Sequence, residues 1–338
     1  MPRIAVDAMG GDFAPDEVVR GVAKVSLSSD IQMVLVGHAD QIQGLLDAGE
    51  YDPELISVRH CSSAIGMAED PRDALRAKKD ASINVAARMV AAGEADAMVS
   101  AGNTGACVLA AAKHWKLLPG IRKAALASVF PRQTEYEGQD HLALLLDVGA
   151  TIRCDAIELA QFGVMGSAYA RTISKVPTPR VGLLNMGSEP NKGGEVLVAA
   201  HRILSSLPAI HFVGNVEGND VATGRADVIV AEGILGNVTL KLLEGVAEVA
   251  WKLASHAAHD NWRWRLGMAM LSSGIERMRD LADFQTYGGA PILGFEHLWI
   301  KAHGRSRAPA IANAIKVAAK AVRDGIVPDM TEAVAKLQ

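Results

Sequence analysis

The sequence predicts an α/β protein with a parallel sheet at its centre. Three observations carry this. Short apolar runs of strand length alternate with helical patterns, the βαβ rhythm that leads to parallel pairing. Many of these runs end in a Gly-rich loop that opens onto a helix. The composition is that of a globular chain, 49% apolar and 21% charged, with 32 glycines. Its 338 residues give room for a large core and suggest about two domains as a starting prior.

In order, Ile4–Val6 reads as a strand running into Asp7-Ala-Met-Gly-Gly-Asp12, followed by a helix from Glu17 to about Ser28. Gln32–Gly37 and Leu55–Arg59 are strands, with a helix over Ala39–Ala48 between them. The pattern breaks between Ser62 and Ser82, where Glu69-Asp-Pro71 marks a turn. Ser82–Glu94 is a helix, Ala97–Ser100 a strand, and Ala101-Gly-Asn-Thr-Gly105 a loop before a helix over Cys107–Trp115. Ala125–Phe130 and Leu142–Val148 are strands, the second ending in Asp147-Val-Gly149; Asp155–Ser174 is a helix. Val181–Met186, Ile210–Val213, Val228–Ala231 and Trp299–Ala302 complete the strands. Helices follow over Glu195–Ser206, Val238–His256 and Pro309–Arg323.

Val181–Gly194 is the most informative stretch. A buried-type strand empties into Gly187-Ser-Glu-Pro-Asn-Lys-Gly-Gly194 at a helix start, with Lys192 the one cation inside the loop. Exposed backbone N–H groups and the helix dipole favour an anion there, and a lysine is a point charge suited to phosphate. An ordinary strand-to-helix turn with a solvated lysine fits the same residues. Seven strand ends finish in Asp, Asn, Glu or His beside Gly, which predicts one polar crevice outside the carboxyl ends of the sheet.

Several chemistries are disfavoured. No G-x-G-x-x-G, Walker, G-x-S-x-G or H-E-x-x-H pattern occurs. Cys61, Cys107 and Cys154 are scattered and form no CxxC, so neither a metal site nor a disulfide framework is expected, and a reducing compartment fits. A net charge of −4 argues against a general nucleic-acid binder. No signal-peptide pattern or membrane span is visible.

Two segments call for partners. Arg72, Arg76, Lys78 and Lys79 form the densest basic cluster, a solvated helix face or a landing site for an acidic partner. Asn261-Trp-Arg-Trp-Arg-Leu-Gly-Met-Ala-Met-Leu271 is apolar on both sides if helical, with Arg263 and Arg265 between its tryptophans. Such a segment fits a subunit contact or a bilayer interface equally.

These motifs together resemble the PlsX family of acyl-acyl-carrier-protein:phosphate acyltransferases over nearly the whole chain. The resemblance rests on Ile4-Ala-Val-Asp-Ala-Met-Gly-Gly-Asp12, Val99-Ser-Ala-Gly-Asn-Thr-Gly105, Met165-Gly-Ser-Ala-Tyr169 and Val181-Gly-Leu-Leu-Asn-Met-Gly187. It continues in Phe212-Val-Gly-Asn-Val-Glu-Gly218, Gly236-Asn-Val238, Tyr287-Gly-Gly-Ala-Pro-Ile-Leu-Gly294 and Ala302-His-Gly304. Phe13 departs from the His of many members, and Ser188-Glu-Pro-Asn191 is a looser match.

The resemblance implies a three-layer α/β/α Rossmann-like fold, akin to isopropylmalate dehydrogenase and phosphotransacetylase. It implies one unit over residues 1–338, with a protruding helical membrane or dimer segment at 257–283. It implies a homodimer and no cofactor. Inorganic phosphate would attack the thioester of a long-chain acyl-acyl-carrier protein, giving acyl phosphate that a membrane glycerol-3-phosphate acyltransferase uses for phospholipid synthesis. Phosphate is then the nucleophile, so no covalent acyl-enzyme is needed. Lys192 is expected to hold phosphate and offset oxyanion charge, with Asn237 as a second donor. Asp7, Gly10, Gly11, Asp12, Asn103, Thr104, Gly105, Asn185, Ser188, Glu189, Gly193 and His303 would line the crevice. His303 reads as a proton carrier or a structural histidine, and Cys154 as structural.

Arg72, Arg76, Lys78 and Lys79 would steer the acidic carrier. Trp262, Arg263, Trp264, Leu266, Met268 and Leu271 would anchor a cytoplasmic protein at the inner face of the cell membrane. The alternatives are a coenzyme A-dependent small-acyl phosphotransacylase, a non-enzymatic anion-binding regulator of lipid synthesis and, more remotely, a nicotinamide dehydrogenase.

Overall fold

The computed structural model describes every residue except 134–141, 261, 262, 264, 265, 268, 269, 272–287 and 338, and only the backbone at 254, 255 and 257–260. The first half of the chain builds β1 (Arg3–Asp7), α1 (Asp16–Ser26), β2 (Gln32–Gly37), α2 (Ala39–Asp47) and β3 (Ile56–His60). Then come α3 (Pro71–Ala77), α4 (Ser82–Ala91), β4 (Ala97–Ser100) and α5 (Thr104–His114). The middle adds β5 (Ala125–Pro131), β6 (Leu142–Leu146), α6 (Ala156–Thr172), β7 (Arg180–Leu184) and α7 (Gly194–Ser206). After these come β8 (His211–Val216), β9 (Val228–Val230) and α8 (Gly233–Asp260). The chain closes with β10 (Ala290–Leu293), β11 (Leu298–Lys301), α9 (Ala308–Arg323) and α10 (Ile326–Ala335).

Among the described residues, eleven strands join in one sheet, in the order β3-β2-β1-β4-β11-β10-β5-β6-β9-β7-β8. The purely parallel expectation needs a correction at its centre. β10 pairs antiparallel with both β11 and β5, and β5 pairs antiparallel with β6. So β3, β2, β1, β4 and β11 run one way, while β6, β9, β7 and β8 run the other.

Period-two burial sorts the side chains into two cores, as a sheet covered on both faces requires. Ile4, Val6, Leu144, Leu146, Val228 and Val230 face one core, which α1, α2, α6, α7, α9 and α10 close. Ala5, Leu145 and Ile229 face the other, closed by α3, α4 and α5, with Leu240 and Leu243 of α8 packed against it. The architecture is the three-layer α/β/α sandwich expected.

Candidate active site

The reversal of strand direction divides the expected crevice residues into two groups. One gathers at the carboxyl ends of β1, β4 and β11; the other at those of β6, β9, β7 and β8. A single crevice outside seven like-directed strand ends is therefore corrected to two loop clusters.

The second cluster holds Lys192. Lys192 N–H donates to the Glu189 carbonyl at 3.1 Å, closing a four-residue turn with Pro190 in second place. The Lys192 carbonyl accepts from Asn185 Nδ2 at 3.0 Å, and Asn185 Oδ1 accepts from Met186 N–H at 2.8 Å. Asn185 itself is buried at the end of β7. Gly193 is left-handed, with φ +89°, and a Cβ there would lie 2.4 Å from Asn185 Oδ1. This explains why the loop reads Asn-x-x-x-x-x-x-Lys-Gly: amide and glycine together fold the lysine onto the start of α7. Lys192 is exposed, and among the described residues its ammonium has no ion-pair or hydrogen-bond partner. Ser188 and Glu189 are exposed beside it.

β9 lies between β7 and β6 and runs parallel to both, so Asn237 emerges at the same end of the sheet as Lys192. The expected helix start at Val238 is corrected: α8 begins at Gly233, and Asn237 stands inside it. Two glycines, poor helix formers, hide that start. A Cβ at Gly236 would lie 1.8 Å from the Asp147 carbonyl, and one at Gly233 would lie 2.1 Å from the Thr151 carbonyl. Asn237 Nδ2 donates to the Val148 carbonyl at 2.8 Å, which fixes the side chain against the β6 loop. That loop is organised by buried Asp147. Its carboxylate accepts from Leu126, Gly149, Ala150 and Thr151 N–H and from the Thr151 hydroxyl, at 2.6–3.0 Å.

The first cluster has a buried carboxylate at its base and exposed residues, Asp12 and His303, at its rim. Asp7 is buried and accepts from Ser100 Oγ at 2.7 Å. Burial pushes its carboxyl pKa up. Gly10 must lack a side chain, because a Cβ would lie 2.5 Å from Asp7 Oδ2 and 2.7 Å from Gly102 N. Gly11, with φ +115°, turns the chain so that Asp12 N–H reaches the Gly304 carbonyl at 2.8 Å. Asn103 is largely committed to structure: Oδ1 caps α5 through Ala106 N–H, and Nδ2 donates to the Met67 and Glu69 carbonyls. Thr104 opens α5, and a Cβ on Gly105 would meet Pro71 at 2.7 Å, so α3 sits directly over this loop.

His303 is exposed, and its Nδ1 accepts from Arg305 N–H at 3.2 Å, leaving the proton on Nε2 when neutral. Partial burial, then the charges of Lys301 and Arg305, hold its pKa down.

Sequence reasoning missed Lys301. It is buried at the end of β11, burial pushes its pKa down, and its ammonium donates to the Ala302 carbonyl. A lysine inside the apolar run Leu298-Trp-Ile-Lys301 was the available signal. α8 runs from the second cluster towards the first. Lys241, one helical turn past Asn237 and on its side of α8, acts on His303, and Arg305 acts on Glu248.

The basic cluster is exposed at Arg72, Arg76 and Lys79. Lys78 differs: its ammonium pairs with Glu69 at 2.6 Å and donates to the Ala64 carbonyl. All three cysteines are buried. Burial pushes Cys61 and Cys154 up to about 11 and Cys107 up to about 12. Of the expected membrane residues, Trp262, Trp264 and Met268 lie outside the described residues, as does most of 257–283. Leu266 and Leu271 are exposed, and Arg263 is exposed with an interaction of its own. Among the described residues, no helix is long and apolar enough to cross a membrane.

A family model described as fatty acid synthesis protein matches residues 2–328. The phosphate acyltransferase of Thermosynechococcus vestitus is 42% identical over 95% of this chain and 92% of its own length. That of Pelotomaculum thermopropionicum is 38% identical over 99% and 96%. Among solved structures, a phosphotransacetylase from Streptococcus pyogenes superposes with a TM-score of 0.65 at 17% identity, covering 95% of this chain and 94% of that one. A 4-hydroxythreonine-4-phosphate dehydrogenase from Klebsiella pneumoniae gives 0.53 at 15% identity, covering 95% and 100%. These two likenesses speak for the fold.

Proposed function

The chain belongs to the fatty acid synthesis protein family and is an acyltransferase that uses phosphate as acceptor in lipid synthesis; from that premise we propose that its acyl donor is a long-chain acyl-acyl-carrier protein and its phosphate site is the Lys192 turn. The observation that carries this reading is the ammonium of Lys192, unpartnered among the described residues, on a backbone that Glu189 and Asn185 hold at the start of α7. A phosphate oxygen attacks the thioester carbon, the tetrahedral oxyanion collapses, the C–S bond breaks and the carrier thiolate departs. A thiolate of ordinary pKa near 8.5 leaves without a strong acid. The remaining work is positioning and charge stabilisation. Lys192 binds phosphate and offsets the oxyanion charge, and Asn237 offers its second amide proton from the neighbouring strand end. Deeply protonated cysteines support direct attack by phosphate over an acyl-enzyme.

Exposed Arg72, Arg76 and Lys79 beside the β4 loop suit an acidic carrier. Apolar residues on α8 suit a second copy of the chain, giving a homodimer. Exposed Leu266, Met270 and Leu271 beyond α8 suit peripheral binding to a membrane surface, where the consuming glycerol-3-phosphate acyltransferase resides. The deciding measurement is carrier-thiol release from palmitoyl-acyl-carrier protein with and without phosphate. Wild-type release is expected to require phosphate, and Lys192→Ala to lose about 10²–10³ in kcat. No release from folded wild-type protein would overturn the carrier reading. Normal turnover by Lys192→Ala would overturn the site.

A further inference from the structure

The motif Phe212-Val-Gly-Asn-Val-Glu-Gly218 has no part in the chemistry above, yet its asparagine reaches the Lys192 turn. Asn215 lies in β8, next to β7, and is 1% exposed. Its Nδ2 donates to the Glu189 carbonyl at 2.7 Å. That carbonyl is the one that closes the turn by accepting Lys192 N–H. The other end of the amide, Oδ1, lies 2.9 Å from His201 Nδ1 on α7. A carbonyl only accepts, so Asn215 must present its NH₂ to Glu189 and its oxygen to His201, and the proton sits on His201 Nδ1. Phe212 packs edge-on against the His201 ring, with centroids 5.1 Å apart at 76°.

We propose that Asn215, oriented by His201, is a positioning residue for phosphate binding, acting on Lys192 through the Glu189 carbonyl. The turn is thus clamped at both ends. Asn185, just after β7, holds the Lys192 carbonyl, while Asn215 of β8 holds the carbonyl that Lys192 N–H needs. A buried amide in a strand is costly unless both its ends are satisfied, and here both are. With Asn215 removed, the Glu189 carbonyl loses its buried donor, the turn is released and the Lys192 backbone is no longer fixed at the start of α7. Displacements of about 1 Å cost catalysis on the order of 10²-fold.

The inference rests on Lys192 being the phosphate-binding cation, and the test separates the two claims. Phosphate-dependent thiol release from palmitoyl-acyl-carrier protein is measured for wild type, Asn215→Ala, His201→Leu, His201→Asn, Lys192→Ala and the Asn215→Ala/Lys192→Ala pair. Asn215→Ala is expected to lower kcat/KM for phosphate on the order of 10²-fold while KM for the carrier substrate stays at its wild-type value. His201→Leu loses part of this, and His201→Asn, whose amide N–H replaces the Nδ1–H donor, restores it. In the Lys192→Ala background Asn215→Ala adds no further loss, because the two act as one unit. A full additional loss in the double variant would overturn the relay alone. So would wild-type phosphate kinetics in folded Asn215→Ala. If Asn215→Ala does not fold, His201→Leu decides, since it leaves the buried amide in place; unchanged phosphate kinetics there overturns the relay. Wild-type phosphate kinetics in Lys192→Ala would overturn the Lys192 assignment, and the relay with it.

Discussion

At the scale of single residues, chemistry in this protein follows burial. Each of the three thiols is enclosed, and each has a pKa of about 11 or higher. Near neutral pH they are thiols, and a thiol is a poor nucleophile. Lys192 is the opposite case, a solvated ammonium on a clamped backbone. The contrast gives a sharp expectation. The folded enzyme should resist alkylation by iodoacetamide near neutral pH, with labelling rising only as pH climbs towards about 11. Cys154→Ala should keep wild-type turnover. Trapping of an acyl-thioester on any of the three cysteines by mass spectrometry would refute direct attack by phosphate. Gly193 supplies a second residue-scale test. An alanine there combines a left-handed φ with a Cβ 2.4 Å from Asn185 Oδ1. Strain of this kind costs about 1–3 kcal/mol. Urea denaturation should register that loss, and KM for phosphate should rise with it, since the strained bond is the one that seats Lys192.

At the scale of elements, the short helix α3 and the residues just after it concentrate the positive charge that an acidic carrier, as proposed, would meet. Asp70 caps it by accepting from Arg72 and Asp73 N–H, and Pro71 at its first position rests on Gly105. Arg72, Arg76 and Lys79 therefore stand at the rim of the β4 loop. Reversing those three to Glu should raise KM for the carrier protein and flatten its salt dependence, with kcat unchanged. Lys78→Glu should instead act through folding, because Lys78 is tied to Glu69 and to the Ala64 carbonyl. Stopped-flow binding across a salt series separates the two; an unchanged slope in the triple variant sinks the docking face.

Elements of this size were largely legible in the sequence. The βαβ rhythm placed β2 and β4 at the boundaries observed, because apolar runs between glycine and polar tips have few other uses. β10 is not legible locally: Ala290–Leu293 is four residues in a Gly-rich motif, and while its antiparallel partner β11 follows after four residues, the other, β5, comes from a distant part of the chain. α10 lies beyond the last helix the sequence predicts. The Lys192 turn was legible because the αL glycine and the lone cation are both written locally. The relay through Asn215 was not, because it spans two strands and a helix that meet only after folding.

At the scale of the whole molecule, the decisive feature is the reversal of strand direction at β10 and β5. It sends the Asp7 and Lys192 clusters to oppositely directed strand ends and leaves α8 to connect them. One side of α8 carries Asn237, Lys241 and Glu248 towards the His303–Arg305 loop. The other carries Leu235, Val238, Leu242, Val246, Val249 and Leu253, between 40% and 66% exposed. Their spacings of three and four residues set them along one stripe of a 28-residue helix. An apolar stripe this long in water asks for a helical partner, and an isologous contact between two copies of α8 closes on itself without leaving a free edge. Wild-type protein should therefore sediment at about twice the 35.6 kDa of one chain. Leu242→Glu with Val246→Glu places like charges on both sides of the contact and should yield single chains at the same concentration. Because the Asn237 side of α8 is turned away from the stripe, the separated chains should still bind phosphate, though with α8 less firmly held. Wild type that sediments as one chain would refute this partner and leave the stripe to the membrane surface. A vesicle-flotation assay with the same double variant would then show the loss of binding instead.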